Sequence, residues 1–354
     1  MSEISNPHDR FFREVFSRLD LASEFLSKQL PAAIAASIDF ATLDLRPGSF
    51  LDEELQQYFS DLLFRANLQT GQSAYVYILL EHKSYPEWFT GLQLLRYQVE
   101  IWEQVRKETK ATEERSAKSK KKQQRIKLPP IFPLVVYQHK RKWNAPQQFH
   151  DLIEAANEWQ PYLPAFHYEL VSVASLRETE LFSAVLLRAA IRLMRHIFDP
   201  DLAHKLPEIW AEFHDLAWGP DEQGFLLVML SYVSSANANV TPGDLKRSLE
   251  IAFPQEGDHI MTTMAQQWLE EGKQLGWQLG VRNTLLSSIR TGLEARFSAD
   301  TTRLLPEIEK IQDLDQLQRL LNLLFKVTSI AEFQVAYRAI LAAEYEAATD
   351  AHLN

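Results

Sequence analysis

Three side chains in the first third of the chain have the types and spacing for phosphodiester chemistry: Asp61 in SDLLFRANL, and Glu81 and Lys83 in YVYILLEHK. An aspartate leading one apolar run and a Glu-x-Lys closing the next can converge on one scissile phosphate. If the two runs form a hairpin centred near Gly71, positions 61 and 81 are symmetric about it and their Cβ atoms face each other at roughly 5 Å. Two carboxylates that close repel unless a divalent cation lies between them. Alternation along a strand puts Glu81 and Lys83 on one face and His82 on the other. The bare Glu-x-Lys motif also occurs at Glu108 to Lys110 and Glu271 to Lys273, in charged or helical contexts with no strand-borne acid upstream. A solvated charge cluster at a strand end remains the alternative for residues 61, 81 and 83.

Elements must exist to position these groups. Pro7 and Pro31 bracket an apolar 3 and 4 spacing that predicts one helix of about six turns over 8–30. Segments 38–45 and 49–55 are short and strand-capable. Clearer strands are expected over 60–68 and 74–82, joined by Gln69-Thr70-Gly71-Gln72. An amphipathic helix follows over 89–106, then a basic stretch with no apolar periodicity at about 107–128, expected as a mobile loop or frayed helical extension. Strand 131–137, a helix near 147–158, strand 166–173 and a helix over 178–198 complete an α/β domain with a mixed sheet, assigned to residues 1–200. From 201 to 354 the signals are helical, with segments near 202–217, 222–236, 242–253, 259–280, 281–297, 302–312, 314–326 and 330–347. Gly272, Gly276 and Gly280 recur every four residues, which suits either close approach of a partner or a loosely packed helix.

Composition narrows the chemistry. The 354 residues include no cysteine, which excludes disulfides, zinc-cysteine sites and cysteine nucleophiles. The N-terminal residues lack signal-peptide character and no apolar run suits a membrane span, so a soluble, cytoplasmic protein without a membrane partner is expected. The formal net charge of -10 argues against nucleic-acid binding by an evenly charged surface. However, Arg106 to Lys127 holds ten basic and three acidic residues, a local +7. Within it Lys120, Lys121 and Lys122 are candidate DNA contacts, or a solvated linker. No phosphate-binding loop, dinucleotide fingerprint, HExxH or GxSxG motif competes.

The segments PHDRFFREVF, SFLDEELQQYFSDLLF, YVYILLEHKS, LLRYQVEIWE and PPIFPLVVYQHKRKWNAP, in this order, resemble the Rpn family of recombination-promoting nucleases, also described as YhgA-like transposases, within the PD-(D/E)XK superfamily. The resemblance covers roughly residues 6–200. It implies an αβββαβ core, an all-α C-terminal region, and DNA cleavage dependent on Mg²⁺ or Mn²⁺, linked to recombination. Asp61 matches the motif aspartate, Glu81 the strand acid and Lys83 the superfamily lysine, where glutamine is usual in this family. Asp61, Glu81 and the backbone carbonyl of His82 would hold the ion, and Lys83 would orient water or stabilise charge.

Other residues carry open alternatives. Asp9 can cap the first helix, or it and His8 can line the site and touch DNA or a ligand carboxylate. Glu14 and Glu54 are outer carboxylates or solvated charge. Gln98 is a cleft contact, whereas Tyr97 reads as packing. Gln138, His139 and the basic turn up to Trp143 can contact phosphate or stack on a base, or form a solvated turn. His204 and His214 read as ordinary histidines. The C-terminal helices could mediate homo-oligomerisation. A non-catalytic DNA-binding or assembly protein retaining the fold is the second reading.

Overall fold

The computed structural model describes residues 6–46, 62–69, 75–115, 127–154, 157–176, 182–217, 219–297, 304–311 and 313–338. Asp61, Glu54, the Gly71 turn and Lys120 to Lys122 lie outside these residues. The chain forms two compact units, Met1–Met261 and Thr262–Asn354. No helix among the described residues is long and apolar enough to cross a membrane.

In the first unit, α1 (Pro7–Phe16) starts with proline at its first position, and the Asn6 side chain accepts the His8 N–H at 3.1 Å. The single helix expected over 8–30 is two, because α2 (Leu19–Gln29) begins after an extended Arg18. The break re-phases the apolar stripe. Phe11, Phe12, Val15 and Phe16 are buried before it, and Leu21, Ala22, Phe25 and Leu26 after it. An unbroken helix would not present both sets to the same core. A short α3 (Ala32–Ala35) leads into the sheet.

Five strands, β1 (Ile38–Arg46), β2 (Leu62–Leu68), β3 (Tyr75–Lys83), β4 (Ile131–Tyr137) and β5 (Glu169–Ser172), form a mixed sheet in the order β1-β2-β3-β4-β5. The first two pairings are antiparallel, and β3-β4 and β4-β5 are parallel. The β2-β3 register runs from Leu62 opposite Leu80 to Asn67 opposite Tyr75, the symmetry about position 71 that the sequence predicts. The crossover to β4 includes α4 (Thr90–Arg115), nine residues longer than the apolar stripe up to Arg106 suggests.

β3 is the central strand, buried on both faces from Val76 to His82. Tyr77 and Leu79 pack with Leu63, Val135 and Tyr168 against Leu94, Tyr97, Ile101 and Val105 of α4. On the opposite face Phe12 of α1 lies 4.9 Å from the His82 ring. Each face is covered by helix, as parallel strands require.

Among the described residues the helix expected near 147–158 is absent. Two 3-10 turns, Phe149–Leu152 and Asn157–Tyr162, occupy the segment. Backbone groups here are engaged across the chain: Phe149 N–H donates to the Phe166 carbonyl and Tyr168 N–H to Gln147. Pro161 also lacks a donor. Then come α5 (Val185–His196), α6 (Leu202–Ala211), α7 (Pro220–Ala236) and α8 (Pro242–Ala252). The first unit therefore continues well past residue 200.

One helix, α9 (Gly257–Phe297), replaces the two expected over 259–297. Its Gly272, Gly276 and Gly280 face open space, so no described segment uses them for close approach. In the second unit α9 packs with α10 (Leu305–Ile308), α11 (Leu314–Lys326) and the helical residues 330–338, burying Ile289, Leu293, Leu317, Leu320, Leu324 and Phe333.

Candidate active site

Glu81 and Lys83 share the α4 face at the C-terminal end of β3. Lys83 Nζ lies 2.9 Å from Glu81 Oε1 and 2.7 Å from both Glu87 Oε2 and Gln93 Oε1, so all three ammonium donors have acceptors. Gln93 Nε2 donates to Glu81 Oε1 at 3.0 Å and to the Tyr97 hydroxyl at 2.6 Å. Glu81 is 0% exposed, and its second oxygen, Oε2, has no hydrogen-bond partner among the described residues. An unsatisfied buried carboxylate oxygen is costly and calls for an explanation.

Electrostatics follow from this burial. Desolvation pushes the Glu81 carboxyl up to about 7, against the opposing Lys83 charge and hydrogen bond. Burial works against the Lys83 ammonium too, but the Glu81 charge and the bonds to Glu87 and Glu81 outweigh it and hold lysine above its usual value. Burial, with the Glu81 charge adding, also holds the Tyr97 phenol well above the usual range.

His82 points to the other face and joins a closed polar ring. Its Nδ1 lies 2.7 Å from Asp9 Oδ1 and its Nε2 2.8 Å from Gln138 Oε1. Gln138 Nε2 donates to the Met194 carbonyl at 3.0 Å and to the Tyr232 hydroxyl at 2.6 Å. Tyr232 lies 2.7 Å from His8 Nδ1, and His8 adjoins Asp9 in sequence. The amide orientation assigns the other directions: Gln138 Oε1 accepts, so His82 Nε2 carries hydrogen, and the tyrosine donates to His8 Nδ1. Burial first, and then the His82 charge, lower His8 to about 4, in keeping with a neutral acceptor ring.

These positions revise several sequence readings. Asn6, rather than Asp9, caps α1. His8 and Gln138 are buried in the ring, which removes them from a DNA-facing surface. Gln98 is also buried, with its amide directed to the Leu94 carbonyl of its own helix. The α4 amide that reaches Glu81 is Gln93, one turn before Tyr97. Their i, i+4 spacing from the loop after Lys83 was the available signal. Tyr97 packs as expected but also presents its hydroxyl. Tyr232 had no sequence signal.

Asp61 lies outside the described residues, and among those described no group of three or more His, Asp or Glu is placed to hold a metal ion.

Residues 6–223 match the family described as "Putative transposase, YhgA-like". The chain belongs to this family. The YhgA-like region spans Asp9, Asp61, Glu81, Lys83 and Gln138, but ends before Tyr232. Among similar proteins of Escherichia coli strain K12, "Inactive recombination-promoting nuclease-like protein RpnE" is 27% identical over 316 residues, 86% of this chain and 96% of that protein. "Recombination-promoting nuclease RpnA" is 36% identical over 95 residues, covering 27% of this chain and 32% of that protein. "Recombination-promoting nuclease RpnC" is 30% identical over 95 residues, covering 27% and 31%. No solved structure matches.

Proposed function

We propose that the chain is a divalent-cation-dependent DNA endonuclease of the PD-(D/E)XK type, acting in recombination or transposition. The observation that carries this reading is Glu81 Oε2, a buried carboxylate oxygen without a partner among the described residues, beside a fully engaged lysine. A hard cation is the ligand such an oxygen fits. Asp61, Glu81 and the carbonyl of His82 would hold Mg²⁺ or Mn²⁺, which when bound acidifies the attacking water and offsets charge on the phosphate. Lys83 orients that water or stabilises the developing charge, and Gln93 fixes both Lys83 and the first oxygen of Glu81. Lys120, Lys121 and Lys122 supply phosphate contacts, so their replacement by alanine weakens DNA binding most at low salt.

Plasmid nicking by the purified chain tests the proposal. Cleavage should require Mg²⁺ or Mn²⁺ and disappear in Asp61→Ala and Glu81→Ala, with DNA binding retained. A wild-type chain that shows no metal-stimulated cleavage on any DNA sinks it.

That outcome would favour a second reading, a non-catalytic DNA-binding or assembly protein. It has support in the name of the relative matched over most of its length, which is called inactive, and in the Lys83 ion pair already engaging Glu81 Oε1.

A further inference from the structure

We propose that the surface beside Lys83 binds unpaired nucleotides, so that the preferred nucleic acid is single-stranded, frayed or flapped rather than continuous duplex. The inference deepens the nuclease reading by naming a substrate class, and it takes from that reading only that nucleic acid is the ligand. Two turns form the surface. The first follows β3, where Tyr85, Trp88 and Phe89 are 58%, 53% and 57% exposed within five residues. The second follows β4, where Lys140, Arg141 and Lys142 are exposed in succession. The Gln138 N–H donates to the Lys83 carbonyl at 2.9 Å, which holds the starts of the two turns together.

Tyr85 is braced rather than loose. The Tyr85 ring lies 5.5 Å from His139, His139 lies 5.0 Å from Phe198, and Phe198 lies 4.8 Å from His8. Nδ1 of His139 accepts the Arg141 N–H at 2.9 Å, which fixes the ring and the basic turn together. This ladder leads from an exposed tyrosine to the buried polar ring. Beyond Lys83 a groove of about 750 Å³ continues along Phe89, Leu92, Gln93, Arg96 and Val99.

Flat rings exposed beside cations suit one ligand chemistry. Every base has a π-face that stacks on an aromatic ring, but only an unpaired base can present it, since duplex offers phosphates and groove edges. Lys140 is partly engaged by Asp199, which leaves Arg141 and Lys142 as the phosphate contacts. Continuity with Lys83 places the stacked bases next to the phosphate that the site would cut.

Fluorescence anisotropy of the full chain in EDTA, with an oligothymidylate and a blunt duplex of equal length, tests this apart from cleavage. The single strand should bind about tenfold more tightly. Tyr85→Ala and Trp88→Ala should each weaken single-strand binding about tenfold and duplex binding less than about twofold. Equal or tighter duplex binding overturns the inference, as does unchanged single-strand affinity in both variants. Loss of self-association without loss of single-strand affinity would assign the rings to a second copy and also overturn it. Because no divalent cation is present, failed cleavage by the wild type cannot be mistaken for failure here.

Discussion

Asp9 Oδ1 lies 2.7 Å from Nδ1 of His82, so the first turn of α1 is bonded to the residue between Glu81 and Lys83. This contact is one side of the ring that continues through Gln138, Tyr232 and His8. Tyr232→Phe removes the hydroxyl that both Gln138 and His8 use, and should cost about 1–3 kcal/mol because buried groups lose partners. In urea titrations its effect should couple to that of Asp9→Asn by more than about 0.5 kcal/mol, although the two residues do not touch. Strict additivity would mean that the bonds act independently and that no ring exists.

Glu81 should make the metal-free protein less stable as pH rises. Its folded-state value near 7 exceeds the ordinary 4.5, so the folded form keeps the proton longer and the unfolded form is favoured by its release. No penalty exists below about 4.5, it grows between 4.5 and 7, and it is complete above 7. Glu81→Gln should therefore raise stability at pH 8 by on the order of 2 kcal/mol, with no gain at pH 4. Melting temperatures measured in EDTA at both values check this. A destabilised Glu81→Gln protein at pH 8 would mean that the Lys83 pair outweighs desolvation.

The sheet was legible where one local rule decided it. The β2-β3 register follows from symmetry about position 71, and the opposite facing of Glu81 and His82 from the two-residue period of a strand. Gln93 was within reach of the same reasoning, as a polar residue one turn before Tyr97 on the helix after Lys83. What sequence patterning could not reveal depends on distant partners. Nothing local distinguishes Tyr232 as the residue that bonds Gln138 and His8, and Gln138 reads as a surface turn until α5 and α7 cover it. The break at Ser17 and Arg18 escaped a helical window because apolar residues stay dense across it and only their phase changes. The missing helix near 150 reflects tertiary pairing of residues 147–149 with 166–168 overriding local propensity.

Asp199 should stabilise the first unit at neutral pH and lose that contribution in acid. Its carboxylate is buried yet receives hydrogen bonds from Lys140, Lys205 and His196, and these outweigh desolvation to hold it well below the usual carboxylate range. The stabilisation is complete above the unfolded value of about 3.9 and declines as pH falls toward the lower folded value. Asp199→Asn should cost about 3 kcal/mol at pH 7. The gap from wild type should narrow below about pH 4 in urea denaturation, and a gap that widens in acid would contradict this assignment.

Gly292 permits the close crossing of α9 and α11. A Cβ added there would fall within contact radius of Leu324 Cδ2 in the core of the second unit. Gly292→Ala should destabilise that unit by about 1–3 kcal/mol through overpacking, despite alanine's better helix propensity. Gly276→Ala, in open space on the same helix, should be neutral or stabilising. Calorimetry of the two variants makes the comparison, and equal stability would show that Leu324 can move aside freely.

The polar ring also bears on when the protein becomes competent during its synthesis. Tyr232 follows Gln138 by 94 residues and His8 by 224, so a nascent chain carrying all of β1 to β5 still lacks the hydroxyl that closes the ring. The strand end bearing Glu81 and Lys83 gains its final anchor only once α7 has emerged, well after the last strand of the sheet, Glu169–Ser172.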